Sequence, residues 1–335
     1  MAKNSTIKIT IITDPIPIGI HYFIGILKKI IRDVRTKFKP LPVFMQSPYR
    51  GHFAVTRSLV EGFQKLHISY NYNPKNIDSL ADTVVVLAGV QALKQAIWLK
   101  KKGYFKKLLA GPNLVTFPSD ADGIIASPEV DICITPGPLT CNIYEDDCPN
   151  LAGRLKSWPA GVDTNYWKPN ILRLKQIVII YFKNTHAPKV NLEIYQKFIL
   201  EMGYEVVIIR YGEYTKEIFL NLLQKAILMI GISGAESQGI TWSEAWSADV
   251  PTFLWYTDTT TYNHHKAKGR LFKSTPSPYL TDQTGLFFNN FEEFKSIFLR
   301  FSNDEYSFQP RQWVIENMSD EACALNLLKI ADITD

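Results

Sequence analysis

The 335-residue chain has four cysteines, and no two of them stand in a CxxC spacing. Cys133, Cys141, Cys148 and Cys323 are too few and too scattered for a disulfide framework or a tetrahedral zinc site, so they read as reduced cytosolic thiols. Long hydrophobic runs are also missing. The longest near the start, Ile16 to Leu27, is interrupted by Pro17, Gly19 and His21 and is too short to span a bilayer. No small-residue cleavage site follows it, so no secretion signal is expected. There is no GxxxxGK[ST] phosphate loop. Asp120-Ala121-Asp122 and Asp146-Asp147 lie in loop-like acidic stretches rather than directly after a strand, and no metal site is expected from them. Internal repeats, low-complexity tracts and a nucleic-acid-binding segment are absent too. What is left is an ordinary globular composition, 46% hydrophobic and 21% charged.

Charge is unevenly spread. Residues 1–160 carry 20 Lys+Arg and 12 Asp+Glu, a net of +8, so that residues 161–335 hold the remaining 17 and 20, a net of −3, of the chain's +5. The first half is therefore the better suited to an anionic partner or surface. Residues Ile18 to Lys37 show apolar residues at helical spacing, and Lys28, Arg32, Arg35 and Lys39 recur along one edge of that pattern. Such a helix packs on its sheet with a solvated edge, or lies on anionic lipid.

Apolar runs alternate with helical patterns along the whole chain. Strands are expected at 7–13, 83–88, 108–110, 132–135, 177–182, 205–210, 227–232 and 252–256. Helices are expected at 53–66, 90–102, 190–202, 214–225, 238–248 and 320–330. Pro159-Ala160-Gly161-Val162-Asp163 and Trp167-Lys168-Pro169 interrupt the alternation near the middle. Two α/β units of similar length, each a mostly parallel sheet covered on both faces, are the expected architecture. Ligands on such sheets sit beyond the carboxyl ends of the strands.

The richest stretch for chemistry is Gly234-Ala235-Glu236-Ser237-Gln238-Gly239-Ile240-Thr241-Trp242-Ser243-Glu244-Ala245, which follows the apolar run Ile227–Ile232. A buried strand ends there in a Gly/Ser turn that opens a helix. Free backbone N–H groups at a helix start attract phosphate, and a carboxylate further in can take ribose hydroxyls. Lys183, at the end of the 177–182 strand, and Lys189, six residues on, can neutralise a diphosphate.

This stretch resembles the E-x7-E motif of two-domain nucleotide-sugar glycosyltransferases of the GT-B architecture, especially the retaining branch. The central Pro-x-Gly-Val-Asp segment with Trp167-x-Pro169 resembles their domain connection. The resemblance implies two Rossmann-like domains facing a central cleft: an acceptor domain at 1–160, a nucleotide-sugar domain at 161–305, and a helical segment at 306–335 packing back towards the first. It implies that Glu236 lies near the donor sugar, that Ser237, Gln238, Gly239 and Ile240 contact phosphate, and that Glu244 holds the ribose. Lys183 stands where many members carry Arg, and Val190 where glycine is common. In the first half, Gly51 and His52 take the place of a glycine pair. His52 is a candidate for sugar contact or base chemistry, and Asn113, after another strand, for a cleft contact.

The expected function is transfer of a sugar from a nucleotide diphosphate sugar to a glycan, lipid or small-molecule acceptor, with retention and without metal. The donor is a substrate and no cofactor is expected. A cytoplasmic protein is expected, with peripheral contact to anionic membrane through Lys28, Arg32, Arg35 and Lys39 as an option. A nucleotide-sugar 2-epimerase and a two-lobed sugar-binding or sensor protein are the alternatives.

Overall fold

The structure is a computed structural model. It describes residues 8–333 apart from 19, 21–22, 25, 28–29, 32–33, 35–51, 171–175, 184–188 and 262–268. The chain divides into two compact units, Met1–Gly161 with Asp320–Asp335, and Val162–Ser319.

Unit 1 is built on strands β1 (Ile9–Ile12), β2 (Tyr70–Tyr72), β3 (Thr83–Ala88), β4 (Lys107–Asn113), β5 (Ile132–Thr135) and β6 (Leu155–Ser157). They form one six-stranded sheet in the order β2-β1-β3-β4-β5-β6, with every pair parallel. Helices α1 (His52–Lys65), α2 (Val90–Lys101), α3 (Pro138–Asp147) and α9 (Asp320–Ile330) cover it. The run Val84-Val85-Val86-Leu87 is apolar throughout because both faces of the strand are buried. Val84 and Val86 point to the side of Leu93 and Leu99 on α2. Val85 and Leu87 point to the opposite side, among Val55, Leu59 and Phe63 of α1 and Leu327 of α9. Each such fully buried side chain contributes about 1.5–3 kcal/mol.

Unit 2 repeats the plan with β7 (Ile177–Phe182), β8 (Glu205–Arg210), β9 (Ala226–Ile232), β10 (Thr252–Trp255) and β13 (Gly285–Phe288), all parallel, in the order β13-β10-β9-β7-β8. Its helices are α4 (Leu192–Glu201), α5 (Lys216–Leu223), α6 (Ile240–Ser247), α7 (Phe291–Ser302) and α8 (Pro310–Asn317). Between β10 and β13, β11 (Thr259–Thr261) and β12 (Leu271–Lys273) pair antiparallel in a small hairpin.

Residues 306–335 fall in both units. The α8 helix packs on α6, with Trp313 edge-on to Trp246 at 5.6 Å, whereas α9 packs on α1 in unit 1. A guanidinium fork fastens α9. Arg57 donates to both carboxylate oxygens of the fully buried Asp320, at 2.9 and 3.1 Å, and Lys65 reaches the same carboxylate at 3.2 Å.

Candidate functional site

In unit 2 the first strand, β7, has β8 on one side and β9 on the other, so the crossovers leave in opposite directions from the β7/β9 pair. A crevice opens at the carboxyl ends where strand order reverses in this way. The residues just past those two strands meet there. Lys183 follows β7, and its backbone N–H donates to Ile232 O at the end of β9, at 3.0 Å. Its ammonium donates to both carboxylate oxygens of Glu236, at 2.7 and 2.9 Å. Only 19% of the Lys183 side chain and 14% of the Glu236 side chain are exposed. Ser233, fully buried, donates to Glu236 Oε1 at 2.8 Å. The ammonium also lies 5.0 Å from the centre of the Tyr211 ring, within cation–π range.

The Gly234–Glu236 turn is held from behind by the hairpin region. Thr257 Oγ1 donates to Gly234 O at 2.5 Å, and Glu236 N–H donates to Thr275 O at 2.9 Å. Gly239 then adopts the left-handed region at φ +77° and starts α6. A Cβ at that position would stand 2.3 Å from Trp242 Cδ1, so only glycine fits. Gly239, the N-cap residue of α6, has no side chain to cap it, and its carbonyl accepts from Trp242 N–H at 3.0 Å.

One side of α6 is locked into the core. Trp242 Nε1 donates to Pro276 O at 2.8 Å, and Trp246 Nε1 to Thr252 Oγ1 at 3.0 Å. Glu244 lies away from that side, half-buried. Burial raises the Tyr166 phenol above its ordinary value, and the carboxylates of Glu217 and Glu244 add to the rise. The Tyr166 ring also meets the Lys216 ammonium at 5.6 Å. Thr241, one helical turn from Glu244, ends a chain of hydroxyls in which Tyr214 donates to Tyr181 at 3.3 Å and Tyr181 meets Thr241 at 3.5 Å.

The other sequence candidates lie as follows. Gln238 is buried and Ser237 exposed, both in the turn before Gly239, and Ile240 opens α6. Lys189 is exposed, shortly before α4. Gly51 lies outside the described residues, as do Lys28, Arg32, Arg35 and Lys39. His52 is the first residue of α1. Asn113 ends β4, where its Nδ2 is buried without a hydrogen-bond partner among the described residues. Sequence reasoning missed Ser233, Thr257 and Thr275, which hold Glu236 and its turn. Among the described residues, no helix is long and apolar enough to cross a membrane.

At the strand-order reversal, then, an ammonium is paired with the Glu236 carboxylate in the polar turn that leads through Gly239 into α6, and a second carboxylate, Glu244, lies further along that helix. No protein-family model matches this chain, and no curated protein does. Solved structures do match. HepE of Anabaena, in complex with UDP and glucose, is 10% identical at a TM-score of 0.50, over 98% of this chain and 100% of that one. A glycosyltransferase from Rickettsia africae is 12% identical at a TM-score of 0.51, over 99% of each chain. OtsA in its apo form is 10% identical at a TM-score of 0.50, over 98% of this chain and 99% of that one. At these identities the likeness is one of fold, and the chain has the α/β fold of GT-B structures, with two successive Rossmann-like units.

Proposed function

We propose that the chain is a glycosyltransferase that moves a sugar from a nucleoside diphosphate sugar to an acceptor. The observation that carries this reading is the meeting of Lys183 and Glu236 at the β7/β9 reversal, in the turn that leads into α6. HepE, which shares the fold, is described in complex with UDP and glucose. In this reading unit 2 takes the donor. Lys183 and the N–H groups at the start of α6 neutralise the diphosphate, with Lys189 available beside them. Glu244 holds the ribose hydroxyls. Glu236 orients the donor sugar and, before the donor arrives, holds Lys183 in place. Unit 1 takes the acceptor, with His52 and Asn113 as contacts.

The anomeric carbon–oxygen bond to the diphosphate breaks as the bond to the acceptor oxygen forms on the same face. The acceptor proton passes to the leaving phosphate oxygen. The configuration is retained and no metal is needed, because the lysine and the helix start supply the positive field. The donor is consumed as a substrate.

The test is incubation of the purified chain with a panel of nucleoside diphosphate sugars and acceptors in excess chelator, read by mass spectrometry for free nucleoside diphosphate and by NMR for the anomeric product. Chelator-resistant release with a retained anomer is expected. Release that needs added manganese or magnesium contradicts the metal-free reading, and an inverted product contradicts retention. No release with any donor overturns the proposal.

A further inference from the structure

Unit 1 has a strand-order reversal of its own. Its first strand, β1, lies between β2 and β3, so the chain leaves β1 to one side and returns on the other. A crevice opens beyond the carboxyl ends of the strands at such a point. Register places the residues around it. Ile11 is opposite Tyr72, Ile12 opposite Val86, and Ala88 opposite Asn113. Two residues past Ile12, Asp14 therefore comes level with Ala88. Tyr72, Asp14 and Asn113 thus stand at the ends of β2, β1 and β4, across four adjacent strands that span about 14 Å at the usual spacing.

The turn after β1 is fixed from both sides. Gly89, just before α2, has a left-handed φ of +88°, and a Cβ there would lie 2.8 Å from Thr13 O. Glycine lets the end of β3 approach the end of β1 this closely. On the other side, Asn73 Oδ1 accepts from the N–H of Thr13 at 2.8 Å and of Asp14 at 3.2 Å, and its Nδ2 donates to Thr13 Oγ1 at 2.8 Å. These bonds hold the backbone of Asp14 and leave the residue exposed, its carboxylate without a hydrogen bond or ion pair among the described residues. Beside it, Tyr72 is 46% exposed, and its hydroxyl lies 3.2 Å from Thr13 Oγ1, which ties the ring to the same turn. At the far strand end the buried Asn113 Nδ2 has no acceptor among the described residues. A buried amide in that state calls for a bound water or a ligand oxygen.

These groups select a class of ligand. A carboxylate held in place accepts hydroxyl hydrogen bonds on both oxygens. An exposed tyrosine ring offers an apolar face to the C–H side of a sugar ring. The amide adds a donor for a ligand oxygen. A phosphate or carboxylate on the ligand would meet an unpaired like charge at Asp14, and a wholly apolar ligand would desolvate that charge without a partner.

We propose that the β1/β3 crevice of unit 1 takes an uncharged, polyhydroxylated acceptor, a glycan or glycoside, selected by the Asp14 carboxylate and the Tyr72 ring. This assignment rests on the glycosyltransferase reading for the fate of the sugar, and it names the acceptor class.

The test uses the full chain without donor. Methyl α-D-glucopyranoside, methyl β-D-galactopyranoside, maltose and lactose are titrated by saturation-transfer NMR, together with the 6-phosphates of glucose and galactose. At least one neutral glycoside should bind, and the 6-phosphate of the same sugar should bind at least about tenfold more weakly at low salt. Asp14→Asn should weaken the neutral glycoside about tenfold, since hydrogen bonds to a charged group give way to neutral ones, and should narrow the discrimination against the 6-phosphate. Tyr72→Ala should weaken binding by a similar factor, and Tyr72→Phe, which keeps the ring, by much less. Both side chains are exposed, so the melting temperature of each variant should match the unmodified chain. Binding of none of the neutral glycosides overturns the proposal, as does unchanged binding in both Asp14→Asn and Tyr72→Ala, or a preference for the 6-phosphate. A parallel titration with nucleoside diphosphates separates the two readings. Glycoside binding that Asp14→Asn weakens, without any diphosphate binding, upholds this site and overturns the transferase; diphosphate binding without glycoside binding does the reverse.

Discussion

Removing Glu236 tests the geometry of the unit 2 site directly. In Glu236→Ala the Lys183 ammonium loses both of its carboxylate bonds, at 2.7 and 2.9 Å, and keeps the Tyr211 ring at 5.0 Å. Breaking a buried ion pair by deleting one partner costs about 3–5 kcal/mol, whereas exposed pairs are worth about 0–1 kcal/mol. With 19% and 14% of the two side chains exposed, the pair sits nearer the buried limit. Partial access to water lets the stranded ammonium recover some hydration, so the expected loss is about 2–3 kcal/mol. Lys183→Met should cost less, because Ser233 still donates to the carboxylate at 2.8 Å. The double variant Lys183→Met/Glu236→Leu should be more stable than the sum of the single effects by about 1–2 kcal/mol, the coupling of a contacting pair. Urea unfolding followed by tryptophan fluorescence measures this in unit 2, which holds five of the seven tryptophans. A two-unit chain need not unfold in one step, so the unit 2 transition is fitted separately. A Glu236→Ala variant as stable as the unmodified chain, or a coupling indistinguishable from zero, would refute the assignment of a strong, mostly buried pair.

Three further outcomes are expected. Arg57→Ala strands the fully buried Asp320 with Lys65 alone and should destabilise unit 1 by about 2–4 kcal/mol; Arg57→Lys should not restore it, since lysine lacks the fork. Equal stability of Arg57→Lys and the unmodified chain in urea unfolding would contradict this. Gly239→Ala forces a left-handed φ and a 2.3 Å clash with Trp242, so a loss of about 2–4 kcal/mol is expected, with weaker nucleotide binding by calorimetry. An undisturbed Gly239→Ala variant would mean that the turn is not fixed. Burial pushes the Cys133 thiol up to about 12, and Cys323 is also raised by burial, so at pH 8 neither should react quickly with a thiol reagent in the folded chain. Labelling should be confined to Cys141 and Cys148, both half-buried, until the chain is unfolded.

Much of this fold is written in local pattern. The strands at 83–88, 132–135 and 177–182 coincide with their sequence expectations, because doubly buried strands leave unbroken apolar runs; the edge strand at 205–210 and the helix at 320–330 coincide with theirs as well. Short elements escape that logic. The three-residue strands β2 and β6 are set by pairing with β1 and β5 rather than by their own composition. Helix α3, with Glu145-Asp146-Asp147 at its end, was read as a loop, although Pro138 at its first position is a helix-start signal. Helix α7 was overlooked despite Phe291, Phe294 and Phe298 at helical spacing. For the site, the sequence named Lys183, Glu236 and Glu244 as separate candidates at strand ends and helix starts. That Lys183 and Glu236 touch follows only from β7 lying beside β9, a long-range pairing with no local signature. Thr257 and Thr275 were invisible for the same reason, since they come from an irregular hairpin region folded back on the Gly234–Glu236 turn.

The most direct test of the central claim is a calorimetric titration of nucleoside diphosphates and their monophosphates into the unmodified chain and Lys183→Ala. If unit 2 takes the donor's diphosphate at the β7/β9 reversal, one nucleoside diphosphate binds more tightly than its monophosphate. In Lys183→Ala that advantage should shrink by about 1.5–3 kcal/mol, the range for hydrogen bonds to charged groups, with monophosphate affinity little changed. An identical diphosphate-over-monophosphate preference in both proteins, or no binding of any nucleoside diphosphate, would contradict the account.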